Sequence, residues 1–281
     1  LLTNGPDGVL RWPVQVGIPT AELVRVGPPQ KLALPGSDCK IARSKDGRVI
    51  ATAQHNMGSW ILHPDGSDQP IRLGPTNVDV RYVAVSPDGR LVAAASHVGA
   101  PVQVWRLDSS KPESGKLEAE LPGIAFMVGF SPDGKWLATS MPDCCLWAVD
   151  SWQPGPHIGA GTALAFSPDG KLLALETSQG VVRLVDPETG REYARLEDPN
   201  RLQDRAKEMS FSPDGTQLVM TNDDSQSIHV WDLRAIRERL AKMGLDWRLP
   251  PYPPAPEAKV LQPLEIQVEL DDPAPSKQDG K

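Results

Sequence analysis

The chain has 281 residues and a formal net charge of −7, with 40% hydrophobic and 23% charged residues, which fits one large globular domain or two small ones. The acidic balance argues against non-specific nucleic-acid binding, because phosphate contacts need a basic face. No stretch approaches the roughly 18 uninterrupted apolar residues of a membrane span, and no signal-peptide pattern is recognised at residue 1.

Residues 1–34 are predicted to hold the third and fourth strands of a four-stranded unit that recurs along the chain. Their first letters, LLTNGPDGVLRWPV, align with LVMTNDDSQSIHVWDL near the end of the sequence. In this alignment LLT ends a second strand, Val9–Val14 is a third strand, and Trp12 takes the place of Trp231. A fourth strand is predicted near Gln30–Leu34. The chain is therefore expected to begin about halfway through a repeat.

Five copies of one motif follow in residues 35–233. Each copy has an apolar run, a turn of the form Ser-Pro-Asp-Gly (Ser-Lys-Asp-Gly in the first copy) and a second apolar run. Proline presets φ, aspartate accepts local backbone hydrogen bonds and glycine takes the left-handed conformation, so each turn is predicted to join two strands. The motif serines, 42, 45, 36 and 45 residues apart, are Ser44, Ser86, Ser131, Ser167 and Ser212. The structural turn residues are Asp88, Gly89, Asp133, Gly134, Asp169, Gly170, Asp214 and Gly215.

A third strand is predicted about ten residues after each second strand, and most units add a more polar fourth strand, as in PIRL, KLEAEL and EYARLE. The third strands VQVWRLD, CLWAVD and IHVWDL carry Trp105, Trp147 and Trp231. Four antiparallel strands repeated about every forty residues are typical of β-propeller blades, because stacked neighbours bury faces that one sheet cannot bury alone. Two stacked sheets are the alternative, although a sandwich gives no reason for near-identical turns.

The sequence Val230-Trp231-Asp232-Leu233, in register with the turns, resembles a WD40 repeat, and looser copies extend the resemblance over residues 1–234. The family's Gly-His dipeptide is missing from every unit, and one unit keeps Trp-Asp. The Ser-Pro-Asp-Gly-rich form, and the ending Met-Gly-Leu-Asp-Trp before Pro-Pro-Tyr-Pro-Pro, are similar to WD40 arrays of large bacterial regulatory proteins. The resemblance implies an all-β propeller that is a C-terminal part of a cytoplasmic bacterial signalling protein, continuous with an upstream serine/threonine kinase or other regulatory domain.

The strand count predicts an incomplete propeller, with about five to six blades present of about seven. It gives a partial first blade, four full blades and a last blade in which a helix follows the third strand. We therefore expect an open, C-shaped ring. Alternatively, Glu265–Leu270 returns to fill the vacant edge of the last blade.

A capping helix is predicted over residues 233–244, with Asp232 as N-cap and Gly244 at its end. We interpret it as packed on the last blade with a solvated basic face, and docking to a partner or an anionic surface is the alternative. The basic face carries Arg234, Arg237, Arg239 and Lys242. Residues 245–281 are predicted to form a Pro-rich linker and a disordered acidic tail, with PPYPPAP as a stiff spacer or, alternatively, a ligand for an aromatic groove.

Catalytic and metal-binding motifs are missing from the sequence: it contains no nucleophile elbow, P-loop, dinucleotide fingerprint, paired zinc motif or kinase signature. The three cysteines, Cys39, Cys144 and Cys145, suggest no disulfide framework and fit a reducing compartment. Asn222–Asp224 imitates the inward ligands of a channel metal, but this stretch falls in a predicted turn. We therefore predict no catalytic residue, no cofactor and no metal.

The sequence predicts a non-catalytic platform that binds a protein or peptide partner through loops on a blade rim. The alternatives are a propeller hydrolase or lyase with a metal in the central channel, and a small-ligand sensor module. The candidate loops are Gln54–Met57, His97–Pro101, Met141–Asp143, Gln179–Gly180 and Asp223–Ser227. The candidate partner-facing residues within them are His55, Asn56, His97, Asp143, Gln179 and Asp224.

Overall fold

The computed structural model describes residues 1–6, 8–17, 23–34, 40–54, 57–62, 69–74, 79–96, 100–108, 111–140, 143–178, 180–198, 206–222, 226–254 and 265–270, without the side chains of residues 111–114. These residues form seven β-sheets and one helix. Two compact units result: a larger one, Lys40–Tyr252, and a smaller one made of Leu1–Cys39 with Pro253–Lys281.

The first 34 residues contain five short strands: β1 (Leu2–Gly5), β2 (Gly8–Arg11), β3 (Val14–Val16), β4 (Leu23–Val26) and β5 (Gln30–Lys31). Strands β1, β2 and β5 form one antiparallel sheet in this order. The indole N–H of Trp12 donates to Thr3 Oγ1 over 2.7 Å. The third strand predicted over Val9–Val14 is interrupted after Arg11, because Pro13 has no N–H with which to continue a ladder.

The larger unit contains five consecutive antiparallel sheets, which we call blades I to V. Blade I contains β6 (Lys40–Arg43), β7 (Ile50–Gln54), β8 (Gly58–Leu62) and β9 (Ile71–Leu73). Blade II contains β10 (Val80–Val85), β11 (Leu91–Ser96), β12 (Val102–Asp108) and β13 (Lys111–Leu121). Blade III contains β14 (Met127–Phe130), β15 (Trp136–Ser140), β16 (Asp143–Ala148) and β17 (Gly159–Ala160).

Blade IV contains β18 (Leu164–Phe166), β19 (Leu173–Ser178), β20 (Val181–Val185) and β21 (Glu192–Glu197). Blade V has three strands among the described residues: β22 (Ala206–Phe211), β23 (Gln217–Asn222) and β24 (Ile228–Asp232). The helix α1 (Leu233–Lys242) follows β24 directly. In every blade the strands lie side by side in chain order.

The hydrophobic core of the larger unit lies between neighbouring blades. Ile61 and Leu73 of blade I, for example, pack in one cluster with Val83 and Val92 of blade II. Strand β11 is buried along its whole length, as expected for a strand covered on both faces. The first strands of adjacent blades contact one another. Stacking therefore buries the two faces that each sheet would otherwise expose.

The five motif turns share one hydrogen-bond pattern. In blade II, Ser86 Oγ donates to Asp88 Oδ1 over 2.6 Å, and the backbone N–H of Leu91 donates to Ser86 Oγ over 2.9 Å. Asp88 Oδ1 also accepts from the backbone N–H of Arg90, and Gly89 has φ +73°. The same serine, aspartate and glycine contacts recur in blades I, III, IV and V. Each turn is thus stabilised by its own residues.

The three motif tryptophans lie in different surroundings. Trp147 is buried and donates to Thr139 Oγ1 over 3.1 Å. Trp105 is half-buried beside the core between blades I and II. Trp231 packs against the core of blade V, and its indole N–H has no hydrogen-bond partner among the described residues. The repeats therefore share turns more closely than they share third-strand contacts.

The helix α1 packs on blade V, and its contacts correct one expectation. Asp232 caps it by accepting from the backbone N–H of Ala235 over 2.9 Å. Leu233 is fully buried in the core of blade V. Arg237, predicted on a solvated face, is buried instead. No helix in the described part of the chain is long and apolar enough to cross a membrane.

Arg237 is buried because the segment after the helix folds back over it. Its guanidinium donates twice to Asp246, over 2.9 and 3.0 Å, and to the carbonyls of Leu249 and Pro250 over 2.7 Å each. The ring of Trp247 lies 5.2 Å from the guanidinium carbon. The nearby guanidinium lowers the pKa of Asp246. One arginine thus ties the start of the Pro-rich segment to the helix.

The last strand, β25 (Glu265–Val268), pairs in parallel with β4, and β3 completes this three-stranded sheet. The expectation of an incomplete propeller with five to six blades is therefore wrong, because the described residues form seven sheets. The number of blades was underestimated because β3 and β4 are short, and the strand that completes their sheet, β25, lies about 240 residues later in the chain. The alternative in which Glu265–Leu270 fills the edge of blade V is also wrong. The division of the chain at residue 34 stays a prediction.

Candidate functional site

Blades I to V have two edges, because consecutive antiparallel strands turn back at alternate ends. The turn edge holds the connections between first and second strands and between third and fourth strands. The loop edge holds the connections between second and third strands and those between successive blades. All five candidate loops join a second strand to a third strand. The second strand before each loop therefore ends at the loop edge, and the third strand after it begins there.

The candidate partner-facing residues lie mostly outside the described part of the chain. Asp143 is described: it is exposed at the start of β16, opposite Ala160. Met57, next to two candidate residues, is also exposed. His55, Asn56, His97, Gln179 and Asp224 lie outside the described residues. Their role at a partner surface stays a prediction.

The aspartates of the turn edge are used in local structure. The hydrogen bond from Ser44 lowers the pKa of Asp46, and the bond from Ser212 lowers the pKa of Asp214. Burial raises the pKa of Asp133, but bonds from Ser131 and the backbone N–H of Lys135 outweigh it, so the net change is downward. Each turn aspartate also lies within 4 Å of a basic side chain. In each turn, Oδ1 of the aspartate is thus engaged by the serine hydroxyl and a backbone N–H of the same turn.

A chain of polar contacts runs along the loop edge from blade III to blade V. Ser140 Oγ donates to the carbonyl of Thr162 over 2.8 Å, and Thr162 Oγ1 donates to Glu176 Oε2 over 2.9 Å. The other carboxylate oxygen of Glu176 accepts from the backbone N–H of Ala206 over 2.7 Å and from that of Gly180 over 3.4 Å. Glu176 is fully buried. These contacts join Ser140 of β15 and Glu176 of β19 to the blades that follow them.

The first strands of blades I and V approach each other through an ion pair at the loop edge. Lys40 Nζ, at the start of β6, donates to Glu208 Oε1 in β22. The same ammonium lies 5.8 Å from the centroid of the Tyr82 ring in blade II. All three side chains lie near the beginnings of first strands, so these strands occupy the inner side of the larger unit.

A cleft opens at the loop edge between blades I and II. Its walls include Ser59, Gly74, Pro101, Gln103 and Trp105. Ser59 is buried, and its Oγ has no hydrogen-bond partner among the described residues. Gly74 has φ +77°, and a Cβ there would lie 3.2 Å from the Trp105 ring. The cleft therefore combines an apolar wall with one unsatisfied hydroxyl, next to the candidate loop that ends at Pro101.

Groups suited to catalysis or metal binding do not converge in the described residues. No set of three or more His, Cys, Asp or Glu side chains there is placed to hold a metal ion. The amide of Asn222 donates to Ser227 Oγ over 3.0 Å, whereas Asp223 and Asp224 lie outside the described residues. Burial raises the pKa of the Cys144 thiol to about 12, so this thiol is a poor nucleophile.

Two features of the loop edge escaped the sequence analysis. Glu176 had a recognisable signal, since it is a charged residue inside the apolar run LLALETS. The Lys40–Glu208 pair had none, because its two residues are separated by 168 positions. Helical periodicity placed Arg237 on the polar face, but periodicity does not show that Asp246 folds back onto it.

Comparisons with known proteins find sequence similarity to several WD-repeat proteins. The chain is 31% identical over 172 residues to WD repeat-containing protein SL1-17 of Schistosoma mansoni, covering 58% of this chain and 52% of that protein. It is 27% identical over 252 residues to pre-mRNA-processing factor 19 homolog 2 of Arabidopsis thaliana, covering 82% of this chain and 45% of that protein. An uncharacterized WD repeat-containing protein of Synechocystis, sll1491, is 27% identical over 116 residues, which cover 39% of this chain and 32% of that protein.

The chain spans about half the length of the first two of these relatives. No protein-family model matches it. The relatives and the seven sheets together support an all-β WD40-type propeller.

Proposed function

We propose that this WD-repeat chain is a non-catalytic platform that binds a protein or peptide partner at the loop edge of blades I to V. The observation that carries the proposal is the contrast between the two edges. At the turn edge, each aspartate is bonded within its own turn. At the loop edge, connections of different length and composition stand on stacked, buried strands. Loops held by a rigid scaffold are the usual place for binding residues.

The cleft between blades I and II supports the same proposal. The side chains that contribute most to a protein interface bind in well-packed, desolvated pockets near its centre. Trp105 and Pro101 supply apolar walls, and Ser59 Oγ supplies a hydroxyl without a partner among the described residues. We propose that this cleft contacts the partner, and its free space admits a group about the size of a water molecule or a methyl group.

The proposal extends to the parent protein. The Ser-Pro-Asp-Gly turns and the Met-Gly-Leu-Asp-Trp ending resemble WD40 arrays of bacterial regulatory proteins. On this resemblance we propose that the chain is a C-terminal part of a cytoplasmic signalling protein with a kinase or other regulatory domain upstream. The free cysteines Cys144 and Cys145 fit a reducing compartment. Purification of the full-length parent with its bound partners tests this part of the proposal.

Photo-crosslinking from the two edges tests the platform itself. Benzoylphenylalanine is placed singly at Met57, Asp143 and Gln226 on the loop edge, and at Arg90 and Lys171 on the turn edge as matched controls. We expect a discrete crosslinked partner from the loop-edge positions only. Crosslinks from the turn edge alone, or from neither edge, would contradict the proposal. Stoichiometric, tightly held divalent metal in chelator-washed protein, with an activity lost on its removal, would favour the channel-metal alternative.

A further inference from the structure

The cleft between blades I and II carries a hydroxyl where the equivalent positions of three other blades carry apolar side chains. Ser59, in β8, lines the cleft, is 1% exposed, and its Oγ has no hydrogen-bond partner among the described residues. The ladders between second and third strands identify its counterparts as Val102, Cys144 and Val182. Buried polar groups nearly always have a partner, which is either the protein or an ordered water. The hydroxyl therefore indicates a hydrogen-bonding group inside the cleft that the described residues do not supply.

The second polar group of the cleft is the side-chain carbonyl of Gln103, in β12. Its Nε2 donates to Glu120 Oε1 over 2.9 Å, which identifies the other end of the amide as the oxygen. That oxygen, Oε1, lies 3.3 Å from the place where a Cβ on Gly74 would stand, and both residues line the cleft. A hydroxyl of blade I and a carbonyl of blade II thus line the same space.

Gly74 keeps this space open. Its φ of +77° favours glycine, and a Cβ there would lie 3.2 Å from the Trp105 ring and 3.3 Å from Gln103 Oε1. The residue that follows the fourth-strand leucine is glycine in blade I, whereas it is Pro122 in blade II and Glu197 in blade IV. A larger residue at position 74 would therefore reduce the space beside Gln103.

The space has the size of one water molecule. The positions open to the centre of a water-sized sphere fill about 10 Å³. A cavity that holds one water needs roughly 10–15 Å³ by the same measure, together with two to four polar partners. The polar side chains of the wall are Ser59, Gln103 and the buried Ser96. Both the size and the polar groups of the cleft therefore fit a single water.

The interface between blades III and IV has a direct bridge at the equivalent place. The ladders put Gln103 opposite Ala94 and Arg183 opposite Leu175, and these two partners occupy the same position, eight residues after the motif serine, in blades II and IV. Arg183 Nη1 donates to the carbonyl of Ile158, just before β17 of blade III, over 3.0 Å. Gln103 is shorter than arginine and is bonded within its own blade, so its link to blade I needs an additional group.

We propose that the cleft between blades I and II binds one ordered water molecule, which bridges Ser59 Oγ and Gln103 Oε1. The water donates to the Gln103 carbonyl and exchanges a hydrogen bond with the Ser59 hydroxyl, which donates or accepts. A partner group that enters the cleft must replace both bonds, which a hydroxyl can do and a methyl group cannot. The water site belongs to the chain without a partner, so its test is independent of the platform proposal.

High-resolution crystal structures of the full chain test the site. We expect wild type to show an electron-density peak within hydrogen-bond distance of Ser59 Oγ and Gln103 Oε1. Gly74→Ala should lose the peak, because the added Cβ crowds the cleft. Gly123→Ala is the matched control and should keep it, because Gly123 also has positive φ, +94°, but a Cβ there meets nothing within 4 Å. Ser59→Val, which gives blade I the side chain of its counterparts, should also lose the peak and keeps the test open if Gly74→Ala does not fold.

A double-mutant cycle tests the bridge in solution. Ser59→Ala and Gln103→Leu each remove one partner of the water, so the double variant should lose less unfolding free energy than the sum of the two single losses. Ser59→Ala combined with Ser151→Ala, at an exposed serine of the turn edge, should give additive losses. Urea unfolding measures all of these variants.

Three results would overturn the inference. The first is a wild-type structure without a peak between Ser59 and Gln103. The second is a peak that Gly74→Ala and Ser59→Val leave unchanged, or that Gly123→Ala removes as well. The third is strict additivity of Ser59→Ala and Gln103→Leu, which would show that no shared group connects the two side chains.

Discussion

The turn edge and the loop edge of blades I to V are built on different principles. At the turn edge one serine, one aspartate and one glycine form the same local hydrogen bonds in every blade. Close to the loop edge each second strand carries a buried polar residue, and the residue type differs between most blades: Gln54, Ser96, Ser140, Glu176 and Asn222. Local, repeated contacts are insensitive to neighbouring blades, whereas contacts such as those of Glu176 join one blade to the next. The turn edge thus repeats one local structure in blades I to V, whereas the residues and contacts of the loop edge differ from blade to blade.

The largest effect is expected from Glu176→Ala at the loop edge. The change leaves the buried N–H of Ala206 without its acceptor, and the half-buried hydroxyl of Thr162 keeps only the backbone carbonyl of residue 176, at 3.4 Å. Each unsatisfied buried group costs about 1–3 kcal/mol, so we expect a loss of about 3 kcal/mol in the free energy of unfolding, measured with urea. Glu176→Gln, which keeps one acceptor oxygen, should lose less. Equal losses from both changes would indicate that side-chain volume, and not hydrogen bonding, determines how much residue 176 contributes to the free energy of unfolding.

A smaller effect is expected from Ser131→Ala at the turn edge. The hydroxyl accepts from the N–H of Trp136 over 2.9 Å and donates to Asp133 over 2.6 Å. Its removal should lower the free energy of unfolding by about 1–2 kcal/mol. Ser151→Ala, at an exposed serine of the same edge, is the control and should cost under about 0.5 kcal/mol.

Combining serine changes tests whether the turns are independent. Ser86→Ala and Ser167→Ala remove equivalent bonds that share no partner with those of Ser131. The losses in unfolding free energy should therefore add within about 0.5 kcal/mol in the triple variant. A triple variant that loses much more than the sum would show that the turn edge, like the loop edge, couples neighbouring blades.

Acid should weaken the turn edge through its aspartates. Hydrogen bonds hold the folded-state pKa of Asp46 and Asp214 below the usual value, and the pKa of Asp88 and Asp133 is also lowered, although burial opposes this. A lowered pKa contributes stability that is present above the unfolded value of about 3.9 and is lost as the pH falls through the folded value. We expect the stability difference between wild type and Asp133→Asn in urea unfolding to shrink from pH 7 to pH 3. A difference that stays constant would contradict this assignment.

The sequence predicted the turn edge better than the loop edge, for a physical reason. Ser-Pro-Asp-Gly specifies its own geometry, so the position and role of Asp88 follow from four adjacent letters. The sheet of β3, β4 and β25 depends on pairing between segments that are distant in the sequence, and no local sequence pattern predicts this pairing. Blade number was therefore underestimated, although strand type was recognised. The burial of Arg237 could not be predicted for the same reason. Helical periodicity covers residues 233–244 only, and its partner Asp246 lies after the helix.

The smallest effect on stability, and a large one on binding, is expected from Asp143→Lys. Asp143 is exposed at the loop edge, so its replacement should change the free energy of unfolding by under about 0.5 kcal/mol. If the partner contacts this edge, reversing the charge there should weaken its binding about tenfold or more, measured with the crosslinked partner once purified. Lys171→Glu reverses a charge at the turn edge and is the matched control, expected to leave binding within about twofold. Equal effects of the two reversals would mean that the partner's affinity depends only on the net charge of the chain. The proposal that the partner binds at the loop edge and not at the turn edge would then be contradicted.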